Sequence, residues 1–258
     1  MQRIAVVVSG WHFPLYFYEM VSKQKLPEGW EMDLFVISHR NPKYAKAEKK
    51  GKTFEGPRAY LDEKLYKKLA TVNGIEKLGF TYIEKPNTCG DWGNSNQWLE
   101  EHDYKQYDLL CFTHDDNLIL SKTWFKEIIE DGAFKEWEVL ANSLGMPRGW
   151  IRGSCEFFKP SLLEKIGGKF DLSMVSLDRT GKTSATEETA ELSDWNTTVN
   201  PLMEFIQKND IKVGYLSPSY RVSMFVIEGE RGFISHTHGI NTELEDEGLR
   251  VLKDARVI

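Results

Sequence analysis

The stretch over residues 108–117 is the sequence feature that most limits the folds open to this chain, because it joins an apolar strand to a row of polar side chains. Leu109 to Thr113 carries no charge and predicts a buried parallel strand. Four residues able to bind a metal or to hydrogen bond follow at once: His114, Asp115, Asp116 and Asn117. Ligands bind at the carboxyl ends of strands in open α/β sheets. The stretch therefore predicts a divalent-cation site for a phosphate ligand, or else a turn whose aspartate caps a helix.

The chain alternates strands with helices, which predicts a parallel α/β sheet. The apolar runs Ile4–Ser9 and Met32–Ser38 are separated by a helix expected from Pro14 to Lys23. A stripe of leucine and valine predicts another helix from Arg58 to Leu78. A strand over Phe80–Glu84 and a loop rich in Asn and Gly lead into the next helix.

Composition excludes several classes of protein. The 258 residues have a net charge of -6, which argues against nucleic-acid binding. The three cysteines form no metal-spaced pair and fit a reducing compartment. There is no signal peptide and no apolar run of about 18 residues, so a cytoplasmic protein without a transmembrane segment is expected.

Four patches of the sequence resemble the GT-A fold of nucleotide-sugar-dependent glycosyltransferases. They are most similar to the inverting family 2 enzymes, which include cellulose- and chitin-synthase-like and bacterial polysaccharide transferases. The patches are an Asn/Gly loop, a strand ending like Asp-x-Asp, a segment like Gly-Gly-Phe-Asp and an acidic helix start, at residues 87–96, 109–116, 153–171 and 193–195. The sequence departs from the family by having His114 first in the Asp-x-Asp position, Lys169 inserted before Phe170, and Ser193 before Asp194.

The resemblance implies a nucleotide-diphospho-sugar transferase fold with a central, mostly parallel sheet flanked by helices. It covers residues 4–238 and implies one domain over 1–238, with an acidic tail over 239–258. Residues 1–117 would form the donor nucleotide-binding half and residues 118–238 the acceptor-binding half.

The resemblance also implies roles for individual residues. A UDP- or GDP-sugar donor would contact residues at strand ends and in the Asn/Gly loop: Ser9, Gly10, His39, Asn87, Asn96 and Asp115. Mn²⁺ or Mg²⁺ would be held by Asp116 as the principal ligand, with these histidines as further candidates: His114, His236 and His238. A glycan or other hydroxyl acceptor would lie over Trp150, Arg152 and Glu156.

The general base for the acceptor hydroxyl is predicted to be Asp194, with Glu187, Glu188 and Glu191 in reserve. Asp194 is alternatively a helix cap. Two other functions stay open. One is a binding protein that kept this fold and lost turnover, which the residues His114 and Ser193 motivate. The other is a nucleotidyltransferase, although the loop after the first strand lacks that class's glycine-rich, basic signature.

Overall fold

The structure is a computed structural model. It describes residues 1–11, 13–39, 42, 68–86, 90–115, 117, 119, 122–131, 135–141, 155–172, 206, 208–215, 222–223, 226–229 and 232–233. The helices are α1 (Leu15–Ser22), α2 (Val72–Lys77), α3 (Gly90–Glu101), α4 (Trp124–Asp131) and α5 (Pro160–Lys165). The strands are β1 (Gln2–Gly10), β2 (Trp30–Ser38), β3 (Phe80–Glu84), β4 (Leu109–His114), β5 (Val139–Ala141), β6 (Cys155–Phe158), β7 (Val213–Tyr215), β8 (Val222–Ser223), β9 (Val226–Gly229) and β10 (Gly232–Phe233).

A seven-stranded sheet forms the centre, in the order β3-β2-β1-β4-β6-β5-β7. Strand β6 runs antiparallel to both β4 and β5, whereas the other neighbouring pairs of this sheet are parallel. Strands β8, β9 and β10 form a separate antiparallel sheet. The predicted α/β fold with a central, mostly parallel sheet is therefore confirmed.

Helices cover both faces of the central sheet, because its strands carry apolar side chains on both sides. Along β4, Leu109 and Cys111 pack with α1, α2 and α4 in one core. Leu110 and Phe112 pack with α3 and α5 in a second core. We call these the α1 face and the α3 face. The alternation is what a strand buried on both sides requires.

Within its described part, 68–78, the predicted helix over residues 58–78 is confirmed from Val72 to Lys77 and is wrong before Val72. Leu69 forms an antiparallel bridge with Pro14 instead of continuing a helix. Thr71 is extended, and its side-chain oxygen accepts a hydrogen bond from Gly74 N at 3.1 Å. Helix α2 therefore begins at Val72, because a threonine N-cap stabilises a helix start there. The apolar stripe could not reveal this break.

The described cysteines lie in the core. Cys111 and Cys155 are both free and buried. Burial raises the pKa of Cys111 well above its usual value, and Cys155 and Glu156 add to the shift. Cys111 therefore acts as a small apolar side chain, as its place in the strand predicts. Among the described residues, no helix is long and apolar enough to cross a membrane.

Candidate functional site

Several predicted donor-binding residues meet at the carboxyl edge of the sheet. Strand register places Gly10 opposite Ser38 and Ser9 opposite His114. His39 directly follows β2. Both histidines are buried, each 7% exposed. The structure thus brings Ser9, Gly10, His39 and His114 together, as parallel strands that end at one level must.

Gly10 is needed where β1 turns into the following loop. A Cβ at this position would lie 2.8 Å from Val36 Cγ1 and 3.0 Å from Phe13 Cε1. Its carbonyl oxygen accepts a hydrogen bond from Ser38 Oγ at 2.8 Å. Only a residue without a side chain therefore lets the loop fold back this tightly over the end of the sheet.

Asp115 holds this loop in place. Its Oδ2 accepts hydrogen bonds from Trp11 N at 2.9 Å, Phe13 N at 2.7 Å and Tyr18 Oη at 3.0 Å. The residue is 1% exposed. A buried carboxylate requires such partners. We call this arrangement the Asp115 anchor. It ties the β1–α1 loop, and the start of α1, to the end of β4.

The anchor supports a strained backbone. Phe13 has φ 55°, in the left-handed region that non-glycine residues rarely adopt. Its N–H is held by Asp115 and its carbonyl oxygen by Ala70 N, at 2.7 Å. Burial raises the pKa of Tyr18 well above its usual value, and Asp115 adds to the shift. Tyr18 therefore stays a hydrogen-bond donor at neutral pH.

These contacts change the interpretation of the polar row after β4. Asp115 was expected to face the donor, whereas the structure engages its Oδ2 within the protein. Asn117 Nδ2 likewise donates to Thr113 Oγ1 at 2.8 Å. Both side chains stabilise the turn. Contact between Asp115 and a donor stays a prediction, and the anchor argues against it.

Glu156 lies inside the sheet rather than at an open surface. It pairs with Phe112 across β4 and β6, and it is 1% exposed. Its neighbour Phe158 belongs to the α3-face core, so strand alternation puts Glu156 on that face. There it is a diagonal neighbour of His114. An acceptor could not reach this carboxylate from the surface of the present structure, so its predicted acceptor role would need movement.

Asn96 has a structural role in the described part of the chain. Its Nδ2 donates to Phe170 O, and its Oδ1 accepts from Phe170 N, both at 2.8 Å. The residue is 6% exposed. The pair ties α3 to the segment after α5. Because both polar ends of the amide are engaged, contact of Asn96 with a donor stays a prediction that the geometry does not favour.

Asn94, two positions earlier on α3, was not among the predicted site residues. It is 4% exposed, and its Oδ1 is buried without a hydrogen-bond partner among the described residues. The sequence offered only one signal, an Asn/Gly-rich loop entering a helix. That signal does not rank one asparagine above another.

The remaining predicted residues lie outside the described part of the chain: Asn87, Asp116, Trp150, Arg152, Asp194, His236 and His238. The reserve carboxylates Glu187, Glu188 and Glu191 lie outside it too. Within the described ranges, no three His, Cys, Asp or Glu side chains come together as a metal site. Of the predicted ligands only His114 is therefore placed, buried at the end of β4, and its binding of a metal stays a prediction.

No family model matches this chain, and no curated protein sequence matches it. Solved structures do match it in chain arrangement, 69 chains in all. A mannosyltransferase from Pyrobaculum calidifontis in complex with GDP-Man and Mn²⁺ has a TM-score of 0.48 and 14% identity, over 89% of this chain and 58% of that one.

Two bacterial structures are also similar. TarS of S. aureus, residues 1-349, gives a TM-score of 0.45 at 14% identity, over 86% of this chain and 60% of that one. The glycosyltransferase GlyE of Streptococcus pneumoniae TIGR4 gives a TM-score of 0.43 at 8% identity, over 85% of this chain and 46% of that one. The chain thus spans no more than 60% of the length of these structures.

Proposed function

We propose that this protein is a glycosyltransferase that moves a sugar from a nucleotide-diphosphate donor to a hydroxyl acceptor. The observation that carries the proposal is the meeting of three sequence patches on the α3 face. Asn96, from the Asn/Gly patch, makes both hydrogen bonds to Phe170, in the Gly-Gly-Lys-Phe-Asp patch. The Phe170 ring lies 6.2 Å from that of Phe112, in the strand that ends at His114.

The donor would bind at the carboxyl edge, beside Ser9, Gly10 and His39. This is where ligands of open α/β sheets bind, at the ends of the parallel strands. The buried His39 and His114 support the proposal, because both lie at this edge of the sheet. In this proposal Asp115 acts through the loop that it anchors, and its contact with the donor is the weaker alternative.

A divalent cation would be held by His114 and Asp116, with His236 or His238 as a further ligand. When bound, Mn²⁺ or Mg²⁺ would neutralise charge on the departing nucleoside diphosphate. The chain's own task is then to remove a proton from the acceptor hydroxyl. Asp194 is proposed as that base, in an inverting displacement, with Trp150 and Arg152 lining the acceptor side.

A binding protein without turnover is the second candidate. It is favoured by one specific feature, His114 at the position where the resembling enzymes carry an aspartate. A neutral imidazole brings no charge to a metal site, so a cation would be held more weakly there. Such a protein would bind a nucleotide sugar without cleaving it.

A panel of nucleotide sugars and nucleoside diphosphates tests the proposal by thermal shift, with Mn²⁺ and with EDTA. At least one nucleotide should raise the melting temperature, and the shift should be larger with Mn²⁺. Asp116→Ala should remove the Mn²⁺-dependent part. Asp108→Ala, at the exposed amino end of the same strand, is the matched control and should leave it unchanged.

Turnover separates the two candidates. Steady release of nucleoside diphosphate from the bound donor with Mn²⁺ present would support the enzyme. Stoichiometric binding with no release, with every acceptor tried, would support the binding protein. If no nucleotide shifts the melting temperature in either condition, both candidates are wrong.

A further inference from the structure

Asn94 Oδ1 and Trp98 Nε1, both on α3, are buried without a hydrogen-bond partner among the described residues. Asn94 is 4% exposed and Trp98 is 0% exposed. Most buried polar groups in proteins have a partner, and each exception requires an explanation. The two residues are four positions apart on α3, so they lie on the same side of the helix.

Helix geometry places Asn94 over the carboxyl edge of the sheet. The Trp98 ring contacts Phe35 of β2 at 5.3 Å and Phe112 of β4 at 6.1 Å between centroids. Asn94 lies four residues, about 6 Å along the helix axis, from Trp98. The helix connects the carboxyl end of β3 to the amino end of β4, and both strands run parallel to β1 and β2, so α3 runs towards the amino edge as its numbering rises.

Asn94 is therefore displaced from Phe112 by roughly two strand residues, about 6.6 Å, towards the carboxyl end. Two residues beyond Phe112 is His114, and Ser9 lies opposite His114 in β1. Strand alternation puts both on the α3 face, since Phe112 and Val7 belong to its core. Asn94 thus faces the edge at which the donor is proposed to bind.

Asn96 is a natural comparison, because it is the same residue type on the same helix. It is buried to a similar degree, and both polar ends of its amide pair with Phe170. Both polar atoms of one buried asparagine are thus used by the fold, whereas Oδ1 of the other has no partner among the described residues. A buried acceptor without a partner, on a residue that faces a candidate site, is available to a ligand.

We propose that Asn94 binds a hydroxyl group of the donor, an inference that rests on the proposed function. Its Oδ1 can only accept a hydrogen bond and its Nδ2 can only donate one. A hydroxyl group matches such an amide, because it donates to Oδ1 and still accepts from Nδ2. The hydroxyl belongs either to the ribose or to the transferred sugar, and the two sources can be separated by experiment.

A structural water is the competing explanation. A water molecule that accepts from Trp98 Nε1 and donates to Asn94 Oδ1 would satisfy both groups without any ligand. The two explanations predict opposite effects on stability. If the amide awaits a ligand, removing it relieves an unpaired buried group in the free protein. If it holds a water, removing it leaves that water and Trp98 with one partner fewer.

The experiment compares Asn94→Ala with Asn96→Ala, using the nucleotide that binds the wild-type protein most tightly in the panel. Dissociation constants for the nucleoside diphosphate, its 2′-deoxy and 3′-deoxy forms and the matching nucleotide sugar are measured by calorimetry. Asn94→Leu, which replaces the amide by an apolar group of similar size, is the second variant in case the alanine variant does not fold.

Asn94→Ala should weaken binding of the nucleotide sugar about ten-fold, the loss expected for one or two hydrogen bonds to a neutral group. Its melting temperature should hold or rise. Asn96→Ala should lower the melting temperature, and any loss of affinity should appear only together with that loss of stability. If Asn94 contacts the ribose, one of the two deoxy forms should bind the wild-type protein about ten-fold more weakly than the unmodified nucleoside diphosphate does. The Asn94→Ala variant should bind both compounds with the same dissociation constant.

If Asn94 contacts the transferred sugar, Asn94→Ala should lower the affinity for the nucleotide sugar and leave the affinity for the nucleoside diphosphate unchanged. Equal dissociation constants for the wild-type protein and both Asn94 variants would overturn the inference. A fall in melting temperature at unchanged affinity would identify the structural water instead. A wild-type protein that binds no nucleotide would overturn the proposed function together with this inference, so the two failures are distinguishable.

Discussion

Replacing Asp115 by alanine should cost this protein a large part of its stability. The substitution removes the acceptor of three hydrogen bonds, from Trp11 N, Phe13 N and Tyr18 Oη. A hydrogen bond to a charged group contributes about 1.5–3 kcal/mol, and a buried donor left unpaired costs about 1–3 kcal/mol. Because one oxygen serves all three donors, the losses do not add, and we expect about 3–5 kcal/mol in total. Most domains have only about 5–15 kcal/mol to lose.

Less drastic substitutions at the Asp115 anchor should lower the free energy of unfolding by smaller amounts. Asp115→Asn keeps a carbonyl oxygen for the donors but loses the charge, and neutral hydrogen bonds are about half as strong. We expect a loss of roughly 1.5–2.5 kcal/mol. Tyr18→Phe removes one of the donors and should cost about 1.5 kcal/mol in the wild-type background, the low end for a bond to a charged group, because two donors still pair with the same oxygen. In the Asp115→Ala background it should cost much less, because its partner is already gone.

The assay is urea denaturation followed by tryptophan fluorescence, with Asp108→Ala as the matched control. Asp108 lies at the other end of β4, and its Oδ2 accepts from Arg3 N of β1 at 2.8 Å. It is exposed, so its loss should cost under about 1 kcal/mol. An Asp115→Ala variant no less stable than Asp108→Ala, with an unchanged denaturant slope, would refute the anchor. A variant that keeps its stability but loses nucleotide binding would instead favour the donor contact.

Three further outcomes are expected. Gly10→Ala should lower the free energy of unfolding by about 1–3 kcal/mol in the same urea assay, since its Cβ would lie 2.8 Å from Val36 Cγ1; an unchanged midpoint would contradict this. Burial raises the pKa of Tyr18, so the folded protein keeps a proton that the unfolded chain releases above about pH 10. The melting temperature should therefore fall as pH rises above 10, and less steeply in Tyr18→Phe; equal slopes would contradict the account. Asp194→Asn should reduce turnover about 10²–10⁴-fold with little change in donor affinity or melting temperature, whereas near-normal turnover would reassign the base.

The sequence predicts the central sheet well, because strands buried on both sides leave a strong pattern. β1, β2 and β4 are apolar along most of their length, and a change to polar residues marks the end of β4. The break before α2 was not predicted, because it depends on Leu69 pairing with Pro14, which lies far away in the chain. An apolar stripe reports burial, and it cannot tell which partner buries it.

The roles of the site residues are harder to predict from the sequence, because these residues differ in long-range contacts that no local pattern records. Asn96 and its partner Phe170 are 74 positions apart, and Asp115 and Trp11 are 104 positions apart. Residue type and spacing placed Asn96 and Asp115 in a donor site. The fold uses their polar atoms to hold the segment after α5 and the β1–α1 loop. Nothing in the sequence separates these residues from Asn94.

The residues that hold the borders of the site should affect ligand binding differently from a residue that touches the ligand. Asp115 and Asn96 are satisfied within the protein and fix the two segments that border the carboxyl edge. Segments held before the ligand arrives need not be ordered on binding, which lowers the entropic cost of association. Substitutions that loosen the Asp115 anchor should therefore lower both the stability of the protein and, indirectly, its affinity for a nucleotide. Removing the Asn94 amide should lower the affinity while the stability of the protein is unchanged. The pairing of the two effects, more than either alone, distinguishes a residue that positions the site from one that touches the ligand.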